Sequence, residues 1–152
     1  MHLGSYLGLV HRAEENLAQA FREVARTHRD EPDVFHLYHT FAQQCDRHVH
    51  RLQPFVDRYG ERVEDEPDRL HSDLFGGTRT GSLALLRDLH DLYLMANEVD
   101  ISWIVIKQAA QGLQDRDLVT AVESCEGDTT RQIAAIKTRM KQAAPQTLIV
   151  AS

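Results

Sequence analysis

Four stretches with apolar residues at helical spacing, joined by a short, a long and a short connection, restrict this 152-residue chain to few folds. The first runs from about Ser5 to His28, with Leu7, Val10, Leu17, Phe21 and Val24 on one stripe. It stops before Arg29-Asp30-Glu31-Pro32, because proline supplies no N–H and clashes with the preceding turn. The second runs from about Asp33 to Tyr59 and ends at Gly60. Its stripe is Tyr38, Phe41, Val49, Leu52, Phe55 and Tyr59. The third, from about Ser82 to Leu113, carries Leu85, Leu89, Leu92, Ala96, Val99, Trp103, Ile106 and Ala110. Ile101 and Ile104 widen that stripe, so this helix is expected to be the most buried. The fourth runs from about Asp117 to Gln142, with Leu118, Val122, Cys125, Thr129, Ile133, Ile136 and Met140 inward. Pro145 is expected to end the regular structure.

Short loops make helices one and two, and helices three and four, antiparallel neighbours. The middle connection, residues 60–81, is different. It contains Pro67, Gly76-Gly77 and dense charge, which argue against a fifth long helix. At about 3.3 Å per extended residue it easily runs the roughly 40 Å of a 25-residue helix. The expectation is an all-α, antiparallel four-helix bundle over residues 1–144, with a long crossover between helices two and three. Residues 145–152 form an apolar tail, Leu148-Ile149-Val150, expected to pack on its own bundle or a second copy, or to dock on a protein partner.

Bulk properties exclude several function classes. The net charge is −6 without any Lys/Arg cluster, which argues against nucleic acid as a partner. The longest apolar run, Ile101 to Ile106, is far too short to cross a membrane. The N-terminus, Met1-His-Leu-Gly-Ser5, has no signal-peptide pattern, so a cytoplasmic location is expected. Cys45 and Cys125 are too few for a disulfide framework and are expected as thiols unless they meet. The sequence has no Gly-rich phosphate loop, Gly-x-Ser-x-Gly elbow or Cys-x-x-Cys pair.

Chemistry is carried by polar residues on the apolar stripes. Glu14 lies inside the first stripe, while Glu15 faces out. Cys45 and His48 replace Leu or Ile on the second, Asp100 borders the third, and Glu126 flanks the fourth. In an antiparallel hairpin, residues equally far from the turn share a height. Glu14, Cys45 and His48 are about 15 to 18 residues from the first turn, and so lie within about 5 Å along the axis. Asp100 and Glu126 are level in the second hairpin, and a crossover permits the two levels to coincide. A carboxylate on a core stripe costs several kcal/mol unless paired, protonated or metal-bound. Without metal, Glu14 and His48, with Arg131 or Lys107 nearby, would form a satisfied polar network. Cys45 would then be a small buried hydrophobe. Asp128 and Glu123 are expected to be solvated.

With this topology and these residues the chain resembles the ferritin-like superfamily, the small bacterial members of unassigned role above all. That family's di-metal pattern is Glu on helix one, Glu-x-x-His on helix two, Glu on helix three and Glu-x-x-His on helix four. Glu14 fits the first position, and Cys45-Asp-Arg-His48 the second with Cys for Glu. Asp100 stands for the third, and Glu126-Gly-Asp-Thr129 for the fourth with Thr for His. The resemblance implies an intra-bundle metal site of Glu14, Cys45, His48, Asp100 and Glu126, holding iron, manganese or zinc, in iron or oxidative-stress handling. It also implies a homodimer. Loss of a bridging carboxylate and of one imidazole favours a single zinc-like or mononuclear site over a dinuclear one. Two further readings stand beside it. One is a metal-free bundle acting through protein association; the other is a thiol function in which His48 lowers the Cys45 pKa.

Overall fold

The computed structural model describes residues 1–60 and 75–150. It is an all-α bundle: α1 (Leu3–Thr27), α2 (Pro32–Tyr59), α3 (Ala84–Gly112) and α4 (Arg116–Pro145), with no strand among the described residues. The local chemistry explains the boundaries. Pro32 opens α2 at a position where its missing N–H costs nothing, with Asp33 following in the first turn. The Asp115 side chain caps α4 by accepting a hydrogen bond from the Leu118 N–H at 3.1 Å. Gln114, at φ 58°, turns the chain between α3 and α4 in the left-handed region.

Helix α1 packs against α2 and α3, and α4 packs against α3 and α2, with the α2–α4 pair the loosest. The Tyr59 hydroxyl at the end of α2 donates to Asp115 at 2.5 Å, beside the α3–α4 turn. At the other end of the bundle, His28 sits 2.8 Å from Asp88 in the second turn of α3, and Thr27 bonds Thr78 at 3.0 Å. Helix α2 thus finishes at one end and α3 starts at the other. Most of the expected crossover, residues 61–74, lies outside the described residues.

The core is continuous. Phe21, Tyr38 and Phe41 cluster at one level, with centroids 5.5 to 5.8 Å apart, and Leu52, Leu92, Trp103 and Ile136 are fully buried. Two expectations need correction. Ile101 and Ile104 do not widen the buried stripe of α3; they are 58% and 60% exposed. At about 100° per residue, Ile101 points nearly opposite Trp103, and Leu94 and Val105 share that outward side. Pro145 does not stop the chain either. The backbone continues as a π-helical turn, Gln146–Val150, a wider ladder entered where proline removes a bond. That turn carries Leu148, Ile149 and Val150 into solvent instead of back onto the bundle.

Candidate functional site

At mid-height the apolar stripes are interrupted together. Glu14 on α1 and His48 on α2 are both buried. His48 Nδ1 lies 3.1 Å from Glu14 Oε2, and its Nε2 lies 2.9 Å from Asp128 Oδ2 on α4. Trp103 on α3 meets the imidazole edge-on, with centroids 6.1 Å apart. All four helices therefore contribute to one level. The outer oxygen of Asp128 accepts from Arg131 at 2.5 Å, so the array runs from a sealed carboxylate to a solvated guanidinium.

The electrostatics follow from this chain of contacts. Burial alone would lower the His48 pKa, but the hydrogen bonds and charges of Glu14 and Asp128 outweigh it and raise the pKa. Asp128 is shifted the opposite way: burial would raise its pKa, and bonds from His48 and Arg131 together lower it. His48 is thus best suited to be an imidazolium, donating from both nitrogens to flanking carboxylates. One atom is left over. Glu14 Oε1 is buried and has no hydrogen-bond partner.

Neighbouring polar groups are committed elsewhere. Thr129 Oγ1 accepts from Trp103 Nε1 at 3.0 Å and donates to the Cys125 carbonyl at 3.1 Å. Cys45 faces Gln132, whose amide lies 3.8 to 4.0 Å from Sγ and also donates to Gln44 at 3.0 Å. Burial, then the nearby Glu14 charge, pushes the Cys45 thiol pKa well up. His48 therefore does not activate Cys45, which corrects the expectation of a lowered thiol pKa.

Of the five expected site residues, Glu14 and His48 come into contact. Cys45 stands one turn before His48, against Gln132 and close enough to Glu14 for its thiol to feel that carboxylate. Asp100 is half-buried with its pKa raised by desolvation, and Glu126 lies 3.9 Å from Lys107 at the α3–α4 seam. Asp128, expected in solvent, instead holds His48. The signal was the second imidazole nitrogen, which needs its own partner when buried. Gln132 was also legible: Cys125, Thr129, Gln132 and Ile136 continue one heptad line.

These residues do not fit a dinuclear centre. That centre needs two imidazoles and bridging carboxylates, whereas one imidazole sits here between carboxylates on its opposite edges. Among the described residues no group of three or more His, Cys, Asp or Glu converges on a metal-sized point. No helix among them is long and apolar enough to cross a membrane. Comparisons with protein-family models, curated proteins and solved structures find no match.

Proposed function

We propose that this is a ferritin-like bundle whose centre takes a single divalent metal ion between Glu14 and the His48 nitrogen that faces it, with Asp128 orienting the ring from the other nitrogen, in place of a metal pair. The observation that carries this reading is the sealed Glu14 Oε1 atom, which has no partner although it belongs to a carboxylate beside an imidazole. An anionic oxygen without a donor is costly in a core, and a cation would satisfy it. Charge supports the same reading. Two carboxylates and a neutral imidazole balance one divalent ion, which would take the place of the proton on the Glu14-facing nitrogen of His48 while the other nitrogen keeps its bond to Asp128. One nitrogen and one carboxylate, with water completing the shell, suit zinc, manganese or ferrous iron. Cys45 stays outside this set because its thiol is engaged with Gln132.

Metal analysis after anaerobic incubation with Fe(II), Mn(II) or Zn(II) tests the reading. About one ion per chain is expected, with a rise in thermal stability. Glu14→Gln and His48→Ala should abolish both effects, while Asp100→Asn and Glu126→Gln should leave them. Two ions per chain would restore the dinuclear set that includes Asp100 and Glu126.

A second reading rests on the geometry of His48, whose two nitrogens are already engaged. In it the array is a metal-free polar core, and the bundle works by pairing with a second copy. The outward apolar residues Leu94, Ile101, Ile104 and Val105 of α3 would supply the contact. No bound ion and no thermal shift, together with a dimer in solution, would favour it.

A further inference from the structure

The α2–α4 seam is the loosest in the bundle and is joined largely by polar bridges. His48–Asp128 lies mid-way, Gln44 and Cys45 meet Gln132 above it, and Arg139 closes the top. Between Gln132 and Arg139 the helices part around a cleft of about 330 Å³. Val34, Leu37, Ala134 and Ala135 give it apolar walls, and Leu37 is 41% exposed at its edge. Tyr38 also lines it. The Tyr38 side chain is 1% exposed, and its hydroxyl is buried without a hydrogen-bond partner. Arg139 and Asp33, whose charges act on this phenol, line the same cleft. Burial keeps the phenol protonated at neutral pH, and so a donor.

We propose that this cleft binds a small, largely apolar molecule bearing one neutral hydrogen-bond acceptor, which the Tyr38 hydroxyl recognises at the floor. The size is right: at about 30 Å³ per water the space equals roughly ten waters, enough for one or two rings, near the lower end of ligand pockets. Neutrality follows from the mouth. Arg139 is held by both Glu31 at 3.0 Å and Asp33 at 2.8 Å, so two carboxylates face one guanidinium. An anionic ligand would meet excess negative charge there and find no free cation in that trio. A ketone or amide carbonyl on an apolar ring would satisfy the hydroxyl and displace only water from the walls.

Three probes of nearly one shape test this with the full chain: acetophenone, ethylbenzene without the acceptor, and benzoate with an anionic one. Ligand-observed NMR titration should give acetophenone a Kd of about 0.1 to 10 mM, the range open to a nine-atom fragment. Ethylbenzene and benzoate should bind at least about fivefold more weakly, the worth of one modest hydrogen bond. Tyr38→Phe should erase the acetophenone advantage and leave ethylbenzene unchanged. Ala135→Leu, which fills the cleft without touching Tyr38, should weaken all three. Three results would overturn the proposal: no acetophenone binding in this range, acetophenone binding indifferent to Tyr38→Phe (as when a trapped water is the partner), or benzoate binding tightest.

Discussion

Glu14 and His48 stand 3.1 Å apart on neighbouring helices, in a part of the core sealed from solvent. Each makes the other tolerable. His48→Ala should therefore cost about 3 to 5 kcal/mol, because it strands a buried charge. Replacing both, as Glu14→Leu with His48→Leu, should recover much of that loss, since an apolar pair of similar volume needs no partner. Urea unfolding followed by circular dichroism measures both. A small effect of His48→Ala alone would mean that Glu14 is protonated or bound to something else.

Thr129 is the acceptor for a buried indole. Thr129→Val keeps the shape and removes the oxygen, leaving Trp103 Nε1–H without its partner at a cost of about 1 to 3 kcal/mol. Thr129→Ser should cost less, since it keeps the acceptor. Equal losses in the two variants, read from urea midpoints, would show that the bond carries little.

Beside Asp128, Asp115 should contribute to acid sensitivity. The Tyr59 hydroxyl first, then the Leu118 N–H and Arg58, hold its pKa below the usual carboxylate value, against a smaller opposing effect of burial. A folded pKa below the unfolded one means stability that is present above about pH 4 and lost as pH falls through the lowered folded value. Asp115→Asn retains a capping side chain and should flatten that part of the pH–stability curve. An unchanged acid limb would leave Asp128 as the carboxylate responsible.

Neither thiol should react in the folded protein. Burial pushes the Cys125 pKa to about 12 and Cys45 well above its usual value, and both side chains are sealed. Iodoacetamide at neutral pH should label neither until denaturant is added, as mass spectrometry would show. Rapid native labelling of Cys45 would revive a thiol chemistry.

The two sides of α3 should respond oppositely. Ile101→Lys with Ile104→Lys, both on the outward side, should change stability by less than about 1 kcal/mol. Ile106→Lys, fully buried, should prevent folding or lower the melting temperature steeply. Thermal scans separate these outcomes, and size measurement on the double variant reports whether that face joins two copies.

Much of this architecture was legible from periodicity. Leu7, Leu17, Leu92 and Ile136 lie on stripes that have only one way to leave water, and Pro32 and Gly60 mark the ends of α2. Glu14 and His48 were legible for the same reason, as polar residues at positions the stripe reserves for burial. Asp128 was not. It lies beside the inward line of α4, and whether a flanking carboxylate turns in or out depends on what the facing helix offers. Ile101 and Ile104 failed from the other side: apolar composition marks a residue that water disfavours without naming the surface that covers it.

What the chain determines by itself is thus the set of helices and the faces they bury, because both follow from spacing within about twenty residues. Only the tertiary structure decides which polar atoms meet. Hydrogen bonds act over about 3 Å, and Asp128 and Glu126, about 200° apart around α4, cannot both face His48. The same short range leaves Glu14 Oε1 and the Tyr38 hydroxyl without partners. Those two buried atoms are invisible in any pattern of residues, because packing alone decides what lies within reach of them.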